Sequence, residues 1–284
     1  MRPVFKSKLE LDYQKFRSRI AARAMIPHEE IGFSWDGFTF LRIPSQKTHR
    51  ALDSSKWRLM NEFLGADSMN LPSVVSAYET GLIDFSSESK INVLNLGVAT
   101  GSLQTFIRNR YPSMNVTGVD IDVLTEKVTS EWFGMSLGEK NHIVIQDAVA
   151  FVEEAVENGL KYDFIAIDVC INVHEHSSWI CPIPSMREDN FLKNVRKIMN
   201  DYGVITINTL YLGQFLDKYE EFQHKLLKNF KFCDGKRHRP FFNMHITCYM
   251  KKSSTRPTEQ EKQHFSESIG LENILYDYSM SIRR

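Results

Sequence analysis

The chain has 284 residues, with 35 basic and 35 acidic side chains and therefore a formal charge of zero. Nucleic-acid binding draws on surplus positive charge to displace counterions from phosphates, so this balance argues against a strongly cationic nucleic-acid binder. Hydrophobic residues make up 42% of the chain, which is too many for a disordered protein. No apolar run approaches the roughly 20 residues that a bilayer requires, so we expect a globular protein without a membrane span.

Residues 1–73 predict an extension ahead of the main fold. Apolar spacing predicts one helix over residues 9–24 and another near residues 57–64. Between them, aromatic residues flank an Asp-Gly pair at positions 36 and 37, which predicts a β-hairpin over residues 32–40. We therefore expect an N-terminal unit made of a hairpin and helices.

The next unit, residues 74–251, begins with a predicted helix over 74–83. From residue 91 short apolar runs alternate with helical stripes, which predicts an α/β fold with a mostly parallel sheet covered by helices on both faces. The predicted parallel strands cover residues 91–96, 115–119, 142–145, 162–167 and 204–208.

A closing antiparallel hairpin is predicted from residues 230–233 and 244–250, with its turn at Asp234 and Gly235. The basic residues 236–239 would then lie on a solvated turn. Residues 252–284 predict a polar tail, mobile over 252–265, with a short helix over 271–278.

The four cysteines stand at positions 170, 181, 233 and 248 and form no CxxC pair. A chain of this length does not need disulfides for stability, so we expect reduced thiols and a cytoplasmic protein. Cys170, His174, His176 and Cys181 are zinc-type ligands, but their spacing matches no standard zinc motif, and we expect no metal. A substrate-contact role for His174 or Trp179 is the stronger interpretation.

Small or acidic residues follow four of the predicted strands: Gly97 and Gly101, then Asp120, Asp147 and Asp168. Ligands of open parallel sheets bind beyond the carboxyl ends of the strands. Glycines allow a close approach of backbone to ligand, and carboxylates after the second and third strands can accept from ribose hydroxyls and an exocyclic amine. Asp168 would face the reactive centre. The alternative is that these aspartates only cap helices or form turns.

The turn after the first strand reads Gly-Val-Ala-Thr-Gly-Ser and lacks the third glycine of a dinucleotide fingerprint. It therefore favours S-adenosylmethionine, a cofactor without phosphates, over a dinucleotide.

Four segments and the final hairpin resemble the spermidine-synthase-like methyltransferase domain of eukaryotic methyltransferase-like proteins, nearest to the branch that methylates elongation factor 1-alpha. The segments are VLNLGVATGSL, VTGVDIDVLTEKVTSEWFGM, YDFIAIDV and CPIPSMREDNFLKNVRKIMNDYGVITIN. The resemblance covers about residues 74–250, and Trp132-Phe133-Gly134 and Cys181-Pro182 are its most specific pieces.

This resemblance implies a seven-stranded Rossmann-like sheet and methyl transfer from S-adenosylmethionine to a protein amine, either a lysine or an N-terminal amine. A translation factor would be the partner, and the resemblance implies nothing about oligomeric state. Asp168 would act at the acceptor side as the catalytic residue. The implied cofactor-binding residues are Gly97, Ala99, Gly101, Asp120, Ile121, Asp147, Ala148 and Asp168.

The chain departs from the family where Ala99, Thr100 and Ala148 replace the usual glycines. These departures leave open a noncatalytic scaffold that has lost efficient cofactor binding. Aminopropyltransferases of the same fold carry a second carboxylate shortly after the position of Asp168, and this chain lacks it. Polyamine synthesis is therefore the least favoured of the three functions.

Overall fold

The structure is a computed structural model that describes residues 30–35, 39–44, 58–59, 70–171, 179–211, 216–238, 243–269 and 276–282. The predicted helix over residues 9–24 lies outside them. None of the described helices is both long enough and apolar enough to cross a membrane.

A small antiparallel sheet forms from the N-terminal extension. Its strands are β1 (Glu30–Trp35), β2 (Thr39–Pro44) and β3 (Arg58–Leu59), with β2 between the other two. Trp35 pairs with Thr39, which confirms the predicted hairpin. The prediction of a helix near residues 57–64 is wrong at β3, because Arg58 and Leu59 pair with β2 as a strand.

The strands of the main sheet are β4 (Asn92–Leu96), β5 (Asn115–Asp120), β6 (Asn141–Ile145), β7 (Tyr162–Ile167), β8 (Trp179–Cys181), β9 (Met199–Tyr211), β10 (Phe232–His238), β11 (Met244–Tyr249) and β12 (Tyr276–Ile282). Eight of these nine described strands form a continuous order, β12-β10-β11-β9-β7-β4-β5-β6. The pairs within β6-β5-β4-β7-β9 are parallel, and the remaining pairs are antiparallel. This order confirms the predicted seven-stranded Rossmann-like sheet, to which β12 adds an edge strand.

Helices cover both faces of this sheet. The described helices are α1 (Asn70–Glu79), α2 (Ser102–Arg110), α3 (Thr125–Phe133), α4 (Ala148–Glu157), α5 (Asp189–Ile198), α6 (Leu216–Asn229) and α7 (Glu259–Ser268). One apolar cluster joins the sheet to α4, α5 and α6, and a second joins its other face to α1, α2 and α7. Buried side chains alternate along the strands, so that Ile205 and Ile207 of β9 face the first cluster and Val204 faces the second.

The closing hairpin is longer than predicted. Asp234 and Gly235 lie inside β10 opposite Thr247 and Ile246, so the turn predicted there is wrong. β10 has neighbours on both sides, β11 and β12, and the hydrogen bonds of both ladders outweigh the local turn preference of an Asp-Gly pair. Lys236 consequently lies within the strand and pairs with Glu79 of α1.

The tail also differs from the prediction. Residues expected to be mobile contain α7, which begins with a reciprocal capping pair between Thr258 and Glu261. Phe265 of α7 stacks on Tyr78 with ring centroids 3.8 Å apart. The predicted helix over 271–278 is wrong at residues 276–278, where β12 begins; its Tyr-Asp-Tyr-Ser-Met-Ser-Ile sequence alternates with the period of a strand.

The prediction of reduced cysteines is contradicted by two disulfides, Cys170–Cys181 and Cys233–Cys248. The second pair lies directly opposite on β10 and β11. The first joins the segment after β7 to β8. No local pattern predicts either pair, because each joins chain segments that only the folded sheet brings together.

Candidate active site

The site lies where neighbouring parallel strands β4 and β7 end. The chain leaving β4 enters α2 on one face of the sheet, while the chain leaving β7 leads to α5 on the other. In open parallel sheets such a divergence forms the crevice beyond the carboxyl ends of the strands in which ligands usually bind. Amide hydrogen bonds join the strand ends into one rim, from Gly97 to Val119, from Gln146 to Asp120 and from Asp168 to Leu96.

Gly97 makes the closest approach at this rim. It adopts a φ of +90°, and a methyl group at its Cα would lie 2.3 Å from the carbonyl oxygen of Asp168. Only glycine combines that backbone conformation with so little space. The two loops that border the crevice are thus in direct contact at this residue.

The loop over residues 97–101 also takes left-handed conformations at Ala99, with φ +50°, and at Gly101, with φ +74°. Gly101 directly precedes α2, and a methyl group at its Cα would lie 2.9 Å from the sulfur of Met135. Ala99 is exposed. The left-handed φ of Ala99 gives a physical reason for the family's preference for glycine at this position.

Asp120 holds this loop in place. Its Oδ2 accepts hydrogen bonds from the amides of Val98 and Ala99, at 2.9 and 3.0 Å, and its Oδ1 accepts from Asp122 at 3.0 Å. Next to it, Ile121 is 70% exposed. The structure therefore places Asp120 and Ile121 beside the glycine loop, and their predicted contact with the ribose and cofactor stays a prediction.

Asp147 is the N-cap of α4. One carboxylate oxygen, Oδ1, accepts from the amides of Val149 and Ala150, at 2.9 and 3.0 Å. This is the capping role that the sequence left as the alternative. Asp147 is exposed, whereas Ala148 beside it is buried. That Oδ2 of Asp147 binds an exocyclic amine stays a prediction.

Asp168 has a different environment. Burial raises the pKa of its carboxyl group above the ordinary value, and a hydrogen bond from Asn208 partly opposes that rise. The Asn208 amide donates to Asp168 Oδ1 at 2.6 Å, while its own oxygen accepts from Asn243 at 2.9 Å. The site therefore contains a directed chain of three polar side chains.

Sequence reasoning missed Asn208. It is 3% exposed within β9, 40 residues from Asp168 along the chain. The available signal was an amide residue directly after the mostly apolar residues 204–207, because a buried polar side chain in a strand requires a partner.

Trp179 anchors β8 beside this chain of polar residues. It is 5% exposed, its Nε1 donates to the carbonyl of Cys181 at 2.6 Å, and Arg187 lies over its ring. Tyr211 and Phe222 pack against the same indole. These contacts make Trp179 part of the core, and its predicted substrate contact stays a prediction. His174 lies outside the described residues.

One group of potential metal ligands occurs at the site. A carboxylate oxygen of Asp168 and the sulfurs of Cys170 and Cys181 lie within 4.8 Å of one another. Because these two sulfurs are joined in a disulfide, they offer no thiolate to a metal ion. His174 and His176, the other two ligands of the sequence-based zinc alternative, are outside the described residues.

Comparison with curated proteins finds relatives that carry methyltransferase names. The chain is 33% identical over 122 residues to the eEF1A lysine and N-terminal methyltransferase of Xenopus laevis, and 28% identical over 124 residues to that of Homo sapiens. Each alignment covers 43% of this chain and 18% of the relative. The chain thus matches less than a fifth of the length of these relatives. No protein-family model matches it.

Solved structures agree on the fold. Human methyltransferase-like protein 13 in complex with SAH has a TM-score of 0.59 at 22% identity and covers 69% of this chain and 90% of its own. A probable spermidine synthase from Corynebacterium glutamicum has a TM-score of 0.57 at 14% identity and covers 84% and 81%. The resemblance drawn from the sequence is confirmed. The chain has the Rossmann-like fold of these structures, the first of which contains SAH.

Proposed function

We propose that this protein transfers a methyl group from S-adenosylmethionine to a protein amine, a lysine or an N-terminal amine. The observation that carries the proposal is the rim at which the Gly97 loop, held by Asp120, touches the chain at Asp168. The relatives' name supports an amine of eEF1A as the acceptor. An acceptor in the translation machinery and a cytoplasmic location belong to this proposal.

The residues at the rim fit the cofactor. The space left by the absent side chain of Gly97 and the left-handed turn at Gly101 allow a ligand to approach the backbone closely. Asp120 would bind the ribose hydroxyls, and Ile121 would offer an apolar surface to the adenine. Asp147 and Ala148 would bind the adenine edge. When bound, the cofactor supplies a methyl group on a sulfonium, so that the protein needs no further electrophile.

Asp168 would bind the acceptor. Asn208 occupies its Oδ1, which leaves Oδ2 to accept a hydrogen bond from the incoming amine. The amine must be neutral to attack, and enclosure of the site disfavours its charged form. Asp168 therefore orients the nitrogen lone pair, and the chain from Asn243 through Asn208 keeps the carboxylate in position.

The first experiment is titration calorimetry with S-adenosylhomocysteine. We expect saturable binding that is lost in Asp120→Ala, because that variant frees the loop and removes the ribose acceptor. The matched control is Asp201→Ala, whose exposed carboxylate pairs with Lys251 away from the rim. Absence of binding at millimolar ligand would reject the enzyme and leave the noncatalytic scaffold.

The second experiment uses a labelled methyl donor with recombinant eEF1A and with a cell lysate. Mass spectrometry then locates the labelled amine. We expect label on a protein amine with the parent chain and none with Asp168→Ala. Label on a protein other than eEF1A would retain the reaction and reject the acceptor.

One relative raises the alternative of polyamine synthesis. The polyamine aminopropyltransferase of Vibrio vulnificus is 24% identical over 125 residues, covering 44% of this chain and 40% of its own. In the present chain the run from Asp168 reads Asp-Val-Cys-Ile-Asn, and Ile171 stands where an aminopropyltransferase would carry its second carboxylate, so this segment offers none for a diamine. We expect no turnover of decarboxylated cofactor with putrescine.

A further inference from the structure

The two disulfides occupy opposite kinds of environment. Cys233 and Cys248 are 1% and 0% exposed and lie between paired strands of the sheet. Cys181 is 2% exposed, whereas Cys170 is exposed. Cys170 is therefore the one residue among the four cysteines that is exposed to solvent.

The exposed pair also adjoins the proposed reacting group. Cys170 Sγ lies 3.6 Å from Asp168 Oδ1, and both sulfurs of the pair lie within 4.8 Å of that carboxylate. The bond ties the chain after β7 to β8. Two backbone hydrogen bonds flank it, from Ile171 to Ile180 at 2.9 Å and from Ile183 to Val169 at 3.2 Å.

We propose that Cys170–Cys181 is a thiol–disulfide exchange site for low-molecular-weight thiols of the glutathione class, and that its state controls the acceptor side of the site. The control of acceptor binding rests on the proposed function, whereas the exchange chemistry does not. The Cys233–Cys248 bond takes no part because both of its sulfurs are buried.

The exchange proceeds in two balanced steps. A glutathione thiolate attacks Cys170 Sγ, the bond to Cys181 breaks, and the Cys181 thiolate leaves and takes a proton from water. A second glutathione thiolate then attacks the glutathione sulfur of the mixed disulfide and releases Cys170 as a thiolate. Two glutathione thiols are oxidised to one disulfide while the protein disulfide is reduced to two thiols.

Reduction removes the covalent link between the chain after β7 and β8. We expect β8, which carries the buried Trp179, to lose part of its attachment to the carboxyl edge at Asp168. The loop over residues 97–101 keeps its own bonds to Asp120. Acceptor binding should therefore respond to reduction, and cofactor binding should not.

The exchange is tested on the full chain in glutathione buffers of graded ratio, with differential alkylation and mass spectrometry of all four cysteines. We expect Cys170 and Cys181 to become alkylated at a thiol-to-disulfide ratio at least tenfold lower than Cys233 and Cys248. Equal sensitivity of the two pairs, or earlier opening of Cys233–Cys248, overturns the proposal. So does alkylation of Cys170 in the fully oxidised protein.

The conformational effect is tested by hydrogen exchange. Reduction should accelerate exchange of the Ile171 and Ile183 amides at least threefold, and C170S/C181S should reproduce that rate in every buffer. C233S/C248S is the matched control and should keep the response. If the double variant does not fold, the single variant C170S, which leaves Cys181 in the core, takes its place in this experiment. Unchanged amide rates in both reduced and C170S protein overturn the control of β8.

The functional effect is tested with eEF1A as the acceptor. Reduction should raise the KM for eEF1A at least threefold and leave the Kd for S-adenosylhomocysteine within twofold. The same KM in both states overturns the acceptor-side control. Absence of methyl transfer in both states would reject the proposed function instead, while the alkylation result would still decide whether the exchange site exists.

Discussion

The two halves of the rim are built in different ways. At the ends of β5 and β6, Asp120 and Asp147 accept hydrogen bonds from amides two to twenty-two residues away in the chain. At the ends of β7 and β9, Asp168 depends on Asn208 and a disulfide holds β8. The half proposed to bind the cofactor (the cofactor half) is thus held by backbone amides, and the half proposed to bind the acceptor (the acceptor half) by side chains that only the folded sheet brings together.

This difference has an electrostatic consequence. At Asp168, burial disfavours the charged form of the carboxyl group and raises its pKa, and the hydrogen bond from Asn208 partly opposes that rise. Under the proposed function, this carboxyl group would meet the neutral amine, and the other two carboxylates would meet polar groups of the cofactor. Gly97 joins the halves, and substitution there tests both.

Gly97→Ala should produce the largest change. The new methyl group meets the Asp168 carbonyl at 2.3 Å and the φ of +90° is strained for alanine, so we expect a loss of about 3 kcal/mol in unfolding free energy and loss of S-adenosylhomocysteine binding. Urea denaturation measures the first and calorimetry the second. Gly159→Ala is the control, because Gly159 has a similar φ of +66° with nothing within 4 Å. Equal losses in both variants would show that the contact at Gly97 does not matter.

Asp168→Asn should separate activity from stability. The variant keeps an oxygen for Asn208 and loses the charge, so we expect at least about a hundredfold loss of methyl transfer.

The same variant should change how stability depends on pH. Burial raises the folded-state pKa of the Asp168 carboxyl group. The stability that its neutral form contributes is therefore fully present below the unfolded-state pKa of about 4 and is lost as pH rises through the folded-state pKa. The variant avoids this loss. Thermal unfolding from pH 4 to 8 should show its advantage growing with pH, and lower stability at pH 8 would contradict the interpretation.

Asn208→Ala should weaken the acceptor half alone. Its amide lowers the pKa of Asp168, so the variant should shift the pH profile of methyl transfer upward and reduce the rate about tenfold near neutral pH. Asn243→Ala keeps the bond to Asp168 and should shift the profile less. The Kd for S-adenosylhomocysteine should stay the same in both. A changed Kd with an unchanged profile would assign Asn208 to the cofactor half.

The same contrast explains what the sequence could predict. Strand ends such as Asp120 carry their signal locally, as an acid directly after an apolar run, and the five parallel strands follow from the alternation of apolar runs with helical stripes. Asn208 and β12 gain their roles from partners about 40 residues or more away in the chain, and the two disulfides join segments that only the folded sheet brings together, which no local pattern contains. The turn expected at Asp234 failed for the same reason, because two neighbouring strands outweighed a local preference.

Asp147 offers a test of cap against cofactor contact. Asp147→Ala should cost about 1 kcal/mol in unfolding free energy because two amides of α4 lose their acceptor. Asp147→Asn keeps a capping oxygen and should retain most of that stability. If Oδ2 binds the adenine amine, Asp147→Asn should still weaken S-adenosylhomocysteine binding. Full affinity in this variant would leave Asp147 with the capping role alone.

Ala99→Gly should have the smallest effect and tests the departure of the glycine loop from its family pattern. Glycine relieves a left-handed conformation that costs alanine about 1 kcal/mol, but its greater freedom in the unfolded chain returns roughly half of that. We expect a net gain of about 0.5 kcal/mol in unfolding free energy, measured by urea denaturation. The amide of residue 99 still donates to Asp120, so cofactor affinity should not fall. A large rise in affinity would instead mean that Ala99 obstructs the cofactor half, and the noncatalytic interpretation of the parent chain would gain support.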